Sequence, residues 1–508
     1  MTHAQHPAPL WLLITLQAGI SAASLVVEIV AGRMIAPYVG MSLYTWTSII
    51  AVVLAGFSVG HWIGGRVAAR ETDRALAWCG WAMVAAAVCT AAASMVLVGV
   101  AGPVLATFSH PLAGITVITS LAFFLPSLFA GVPAPILAVV AMRGRNASEA
   151  ALGAMFAAGA VGAIGGTLLA GFLFISWLGS ALTLALIASF YAVSALVCLG
   201  MARAGRRHVV AGMSALALTL SLAASGGGAA RVCEVESSYY CIRTVEMAPE
   251  GAAPVRLMVI DHLAHGISAE TAPAVMFTDH AAMLEALPRM RMGTRGFTSF
   301  HIGGGTYSVP RAWAALEREG MAQTVAEIDP EVTRLAVGKF WFDPSTATVL
   351  HRDARAALAS DATRYDVILG DAFTDIAVPA HLVTQEFASL VARRLAPGGV
   401  YAMNLIDSTD RLDALAAMVT TLREIFPVVE VWTEERPPEP GERRVFVLLA
   451  GEAASPVARI TTRSPEPKAF AALDQGFVDE ILTARNTRPL TDDYAPIDRL
   501  MGFDPVID

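Results

Sequence analysis

TSFHIGGGTY, residues 298–307, and VAEIDP, residues 325–330, decide the fold of the C-terminal half. The first is an apolar run that ends in Gly303, Gly304 and Gly305. Glycines at a strand end let the backbone turn tightly into a helix and approach a ligand closely. Glu327 ends the second run 22 residues after Gly305, where an acid can bind both hydroxyls of a ribose. Asp353 follows the third run, in HRDAR, and Asp371 ends the fourth, in YDVILGDAF. An Asp at 353 can accept from an adenine amino group, and Asp371 points into the same crevice. One or two acids at strand ends arise by chance in such folds. Gly, Glu, Asp and Asp at four successive ends read as a nucleoside site.

Working outward, the runs TSFHIGG, TVAEID, TATVLHR, YDVILGD, GVYAMNL, VVEVWTE and RRVFVLLA alternate with helical stretches. This pattern predicts an α/β Rossmann-like domain with a mostly parallel, doubly wound sheet. No Walker pattern or phosphate-binding Lys accompanies the glycines, which argues against ATP.

The N-terminal half is of another kind. The chain has 508 residues, 55% hydrophobic and 15% charged, with a mean hydropathy of +0.57. Those values exclude a single soluble domain and a disordered chain. Residues 1–230 hold 9 Arg, no Lys and 4 acidic residues, a net charge of +5, and the rest carries −13. The acidity of the second half argues against nucleic acid and suits cationic ligands. Seven uncharged or nearly uncharged runs predict membrane-spanning helices at 10–35, 43–65, 76–99, 113–142, 151–176, 180–202 and 209–228. Pro126, Pro133 and Pro135 predict a broken fourth helix, and the glycines of the fifth run predict close helix packing.

Arg66, Arg70 and Arg74, then Arg143 and Arg145, then Arg203, Arg206 and Arg207 fall in alternate loops. Those loops are expected on the cytoplasmic side, with the N-terminus. Seven spans then put the second half on the outer face. Glu28, inside the first run, is read either as a packing residue or as part of a transport or substrate path, with Arg33 or His61 as its partner. Residues 225–228 form a flexible joint. RVCEVESSYYCIRTVEM then reads as a strand paired with VRLMVID at 255–261. Cys79, Cys89 and Cys198 are packing residues. Cys233 and Cys241 pair on the outer face or stay thiols in the cytoplasm.

These residues resemble the spermidine synthase family of polyamine aminopropyltransferases, in its membrane-fused bacterial form. VESSYYCI resembles the family's hairpin motif around an S-Y-Q triplet, and HIGGGTY its glycine loop. VAEIDP, RDA and YDVILGDAF resemble its ribose, adenine and D-S-S-D segments. LVVEIVAGR, PAHLVTQEF and LTDDYAPID are similar to stretches of the membrane-fused relatives. The resemblance implies a transmembrane domain over 1–228, a small β-hairpin subdomain over 229–290 and a catalytic Rossmann domain over 291–508. It implies transfer of an aminopropyl group from decarboxylated S-adenosylmethionine to an amine, with release of methylthioadenosine. Asp371 then matches the proposed base, Glu327 the ribose ligand and Asp353, with Ala354, the adenine ligand. Gly303, Gly304, Gly305 and Thr306 match the donor loop.

Departures from the family pattern fall at several positions. Thr306 replaces an Asp that holds the donor's amine. Tyr240 stands for a Gln, His265 for a Gln, and Thr374 for the second acid of D-S-S-D, with Asp375 one step on. His280 sits in FTDHAAML, a loose match to the acceptor segment. Two lost carboxylates suit a dication less and tolerate a carboxylate better, so the expected co-substrate is S-adenosylmethionine or its decarboxylated form. Tyr239, Tyr240, His265, His280, Asp493 and Tyr494 are candidate substrate residues. Tyr239 and Tyr240 equally suit hairpin packing, and Asp492 either closes over the site or caps the segment after it. No metal is expected, because His262, His265 and His280 lack ligand spacing.

The expected partners are a lipid bilayer, a small-molecule amine or S-adenosylmethionine-type substrate, and a second copy of the chain as a homodimer. A methyltransferase or an S-adenosylmethionine lyase on the same scaffold is the first alternative. A transporter or sensor with a nucleoside-binding domain is the second, favoured by Glu28 and the Pro-broken run. The expected location is the bacterial inner membrane. Arg placement there favours an outer soluble domain, whereas sulfonium donors are made in the cytoplasm.

Overall fold

The computed structural model describes residues 9–108, 110–143, 147–203, 210, 212–214, 217–219, 221, 232–373, 378–462 and 464–501. The expected joint at 225–228, most of the run at 209–228, and Arg145, Arg206, Arg207, Thr374 and Asp375 lie outside them. The chain forms two compact units, Met1–Cys241 and Ile242–Asp508. The division falls inside the stretch expected as a hairpin subdomain.

The first unit is helical. Among the described residues five helical stretches are long and apolar enough to cross a membrane, by length and composition: Leu10–Val39 (α1), Leu43–Ala68 (α2), Thr72–Thr107 (α3), Leu112–Met142 and Ser148–Met201. The last holds two of the expected runs. Its first part, Ser148–Leu169, and its second, Ile175–Met201, are separated by a π-turn at Ala170–Phe174, and Gly179 at φ +72° breaks the helix. The fourth stretch is interrupted as its prolines predict. A π-turn at Ser120–Phe124 precedes Pro126, whose ring cannot sit against the carbonyl four residues back in a regular helix.

Small residues let the helices touch. A Cβ on Gly162 or Gly166 would lie 2.0 or 2.2 Å from the carbonyl oxygens of Ala18 or Ala22 in α1. Gly56, Gly60 and Gly64 of α2, a stripe the sequence reading passed over, meet the backbone at Phe124, Leu128 and Val132 in the same way. Large apolar side chains point outward, among them Phe156, Phe172 and Trp177. Among the described residues Glu28 makes no ion pair with Arg33 or His61. Arg33 instead donates to the carbonyls of Ser237 (2.7 Å) and Tyr239.

That contact belongs to a loop closed by a disulfide between Cys233 and Cys241, with Cα atoms 5.2 Å apart. Within it Glu236 accepts from the amide (2.9 Å) and the hydroxyl of Ser180, where the last helix restarts after Gly179. Arg143 donates to the carbonyls of Ala68 and Arg70, so two of the Arg-rich loops lie together.

The disulfide-closed loop holds a two-residue strand, β1 (Val235–Glu236); after it β2 (Cys241–Glu246) pairs antiparallel with β3 (Val255–Ile260), as read from sequence. β4 (Leu263–Ala269) pairs in turn with β3 and was not foreseen. The large sheet contains all seven expected strands. These are β5 (Thr298–Ile302), β6 (Ala322–Ala326), β7 (Thr348–Leu350), β8 (Tyr365–Gly370), β9 (Leu395–Ser408), β10 (Val428–Glu434) and β11 (Arg443–Gly451). β12 (Arg459–Thr461) and β13 (Ala469–Ala472) complete the order β12-β13-β10-β11-β9-β8-β5-β6-β7.

The expectation of a mostly parallel sheet needs correction. Pairing is parallel from β7 to β9 and antiparallel beyond it. β10 and β11 are joined by a short loop, which permits a hairpin and forbids a helical crossover. Side chains alternate between two cores: Ile368 packs on one face of the sheet, Val367 and Leu369 on the other. The strand order reverses between β5 and β8, and a crevice forms outside the strand ends at such a point.

Candidate functional site

Gly303 and Asp371 follow the two strands that flank the reversal. Gly303 has φ +93°, and a Cβ there would lie 2.5 Å from the carbonyl oxygen of Asp371. Gly305 is left-handed at φ +51°, and a Cβ at Gly304 would meet the Tyr307 ring at 2.5 Å. Each glycine is therefore required by conformation or contact. Glu327 ties this loop to the end of β6. Its carboxylate accepts from Gly304 N (2.8 Å) and Asp329 N (2.9 Å). Burial pushes its carboxyl above the ordinary range, against those two amides, which favour the ionised form. A carboxylate has about four lone-pair positions, so further donors can still be met.

Asp353 caps the helix Ala354–Ser360 through Ala356 N (2.8 Å) and meets His381 Nε2 at 2.8 Å. Burial opposes its ionisation, yet the Ala356 amide and the His381 ring outweigh it and hold the carboxyl below the usual range. Ala354 is buried in the first turn of that helix. The Asp371 carboxylate accepts from Asn404 Nδ2 (2.9 Å). The sequence reading missed Asn404. Its one signal was a lone amide in the apolar run GVYAMNL.

Two buried atoms around the loop have no partner among the described residues: Thr306 Oγ1 and Asn404 Oδ1. Both residues are 2% exposed. Such atoms are costly unless something else meets them. His265, on β4, lies against the same loop: a Cβ on Gly305 would stand 3.0 Å from its carbonyl oxygen. His265 Nδ1 donates to Leu263 O (3.1 Å). Burial pushes its ring below the ordinary His range; the Leu263 carbonyl and Asp371 oppose this, and His280 adds to it. His280 begins the helix Asp279–Met292 and meets Thr278 Oγ1 at 3.3 Å.

Other expected site residues are placed differently. Tyr239 and Tyr240 belong to the first unit, in the disulfide-closed loop. Tyr494 lies under the Arg488 guanidinium, 3.5 Å from the ring centroid, and Asp493 is exposed. Asp492 does not cap the next helix, Ile497–Leu500, whose N-cap is Pro496. It takes both Arg355 guanidinium nitrogens at 2.7 Å and Thr384 Oγ1 at 2.8 Å. Among the described residues no group of three His, Cys, Asp or Glu is placed to hold a metal ion.

No protein-family model matches the chain. Over 152 residues it is 36% identical to a polyamine aminopropyltransferase of Vibrio vulnificus, covering 29% of this chain and 48% of that protein. Over 219 residues it is 32% identical to an N-terminal histidine N-methyltransferase of Emericella nidulans, covering 39% of this chain and 37% of that one. The chain thus spans less than half the length of these curated relatives. A solved structure of a probable spermidine synthase from Corynebacterium glutamicum is 21% identical and covers 50% of this chain and 94% of that one. Its TM-score of 0.43 leaves the fold assignment to the sheet topology itself. Over 104 residues the chain is 36% identical to a probable polyamine aminopropyl transferase of Bifidobacterium longum, covering 20% of this chain and 23% of that one. By its matches to polyamine aminopropyltransferases, the chain is spermidine synthase-like.

Proposed function

We propose that this chain is a membrane-embedded aminopropyltransferase that uses S-adenosylmethionine or its decarboxylated form and releases methylthioadenosine. One observation carries the reading. Gly303–Gly305, Glu327, Asp353 and Asp371 follow four neighbouring parallel strands, β5, β6, β7 and β8, of which β5 and β8 flank the point where strand order reverses. The loop and Glu327 receive the ribose, Asp353 the adenine amine, and Asp371 the cationic centre where an amine attacks the carbon beside sulfur. A fixed carboxylate there favours charge that develops as the bond forms. Calorimetry on the full-length chain in detergent tests the nucleoside part. Methylthioadenosine or S-adenosylmethionine should bind, and binding of neither refutes it. Mass spectrometry of products from putrescine and decarboxylated donor tests the reaction.

A second reading is favoured by Thr306. A neutral, buried hydroxyl at that position tolerates a donor carboxylate, as on intact S-adenosylmethionine. Methyl transfer, or a lyase reaction that forms a lactone and methylthioadenosine without an amine, follows from it. Mass spectra of products from intact S-adenosylmethionine, with and without an amine, separate these reactions.

The five apolar stretches and their outward Phe156, Phe172 and Trp177 support a bilayer around the first unit. For the side, two observations agree. The Arg-rich loops mark the cytoplasmic end. The Cys233–Cys241 loop docks instead on Arg33, late in α1, and on Ser180, at the Arg-poor turn after Ile175. Disulfides persist outside the cytoplasm. Both favour an outer C-terminal unit, and a C-terminal reporter active only outside the cytoplasm should be active.

A further inference from the structure

His265 is held by its backbone against the glycine loop, and the contact leaves no slack. Gly266 has φ +153°, and a Cβ there would strike Thr306 Oγ1 at 2.5 Å. A carbonyl can only accept, so the bond to Leu263 O requires the proton on Nδ1 of His265. The lone pair is then on Nε2. Three titratable groups act electrostatically with this ring: Asp371 after β8, His280 on the helix Asp279–Met292, and His262 just before β4. Asp371 already has one oxygen bonded to Asn404.

We propose that His265 Nε2, and not Asp371, accepts the proton of the attacking amine. The inference rests on the amine-transfer reading above. An alkylammonium has a pKa near that of Lys, about 10.4, and an ordinary Asp about 3.9, so transfer to Asp is uphill by roughly six units. An ordinary imidazole, at about 6.5, is better matched, and burial pushes this ring lower, toward the unprotonated form that can accept.

In the step, the N–H bond of the substrate ammonium breaks and its proton passes to Nε2. The freed nitrogen pair forms the new C–N bond at the carbon beside the sulfonium. The C–S bond breaks with its electrons going to sulfur, which leaves as a neutral thioether. The proton then leaves the imidazolium for solvent, which restores the ring for the next turnover.

The test uses the full-length chain, with pH profiles of kcat/KM for the wild type, His265→Gln, His265→Ala and Asp371→Asn. The wild type should show an acid limb. His265→Gln should lose that limb and about 100-fold in kcat. Its methylthioadenosine affinity should stay within about threefold, which shows that the site is folded. Added imidazole should restore part of the His265→Ala rate. A His265→Gln enzyme that keeps both limb and rate overturns the inference, as does loss of the limb in Asp371→Asn alone. A wild type that binds methylthioadenosine but transfers nothing to any amine overturns the underlying reading, and the inference with it.

Discussion

Glycine does different work in the two units. Gly162 and Gly166 lie in an ordinary helix and matter only for size, because the backbone of α1 passes where a Cβ would be. Gly303 matters for size and for handedness together, with φ +93° and the Asp371 carbonyl at 2.5 Å from any Cβ. The first kind of position tolerates substitution wherever the neighbour is absent. The second does not tolerate it anywhere. Function follows the same division: the helical glycines set packing, whereas the strand-end glycine sets where Asp371 stands.

The largest expected effect is at Gly303. Gly303→Ala adds positive-φ strain to a backbone collision, about 1–3 kcal/mol each. Methylthioadenosine affinity, read by calorimetry, should fall about 100-fold. Unchanged affinity would show that the loop does not touch the ligand.

Next comes the helical site. Gly162→Val should lower stability in detergent by about 1–3 kcal/mol, read from thermal unfolding, with nucleoside affinity unchanged. Gly165→Ala, where nothing lies within 4 Å, should instead be neutral or gain up to about 1 kcal/mol. Equal damage from both would end the distinction drawn between them.

A smaller effect is expected at Asn404. Asn404→Ala removes the donor to Asp371 and should lower kcat about tenfold while ligand affinity holds.

The smallest effect concerns Asp492. Arg355 beside it lowers its carboxyl to about 2. A depressed carboxyl stabilises the fold above its unfolded value, about 3.9, and that contribution fades as pH falls toward 2. The pair is partly exposed, so Asp492→Asn should cost under about 1 kcal/mol at pH 7 and only a small part of that at pH 2. Denaturant midpoints at the two pH values check this.

Much of the second unit was legible because its signals are local. Apolar runs of strand length, a glycine triplet and single acids at run ends need only neighbouring residues to be seen. β12 and β13 were missed because short, partly exposed strands carry little period-two signal. Asn404 was missed because its importance comes from register. β8 pairs Gly370 with Met403, and the next residue of each strand end then meets across the gap. Arg33 was a candidate partner of Glu28 by proximity in sequence, whereas the carbonyls it holds lie more than 200 residues on.

The sequence by itself determined the two kinds of unit, the strand ends that carry acids and the helix that breaks at its prolines. These depend on hydropathy period and backbone preference within a few residues. Only the tertiary structure decided which donor holds which acid: Asn404 on Asp371 across 33 residues, Arg355 on Asp492 across 137. It also decided that half the sheet is antiparallel and that Cys233 meets Cys241 in a loop gripped by Arg33. Such pairings depend on how distant segments pack, and no local preference encodes them.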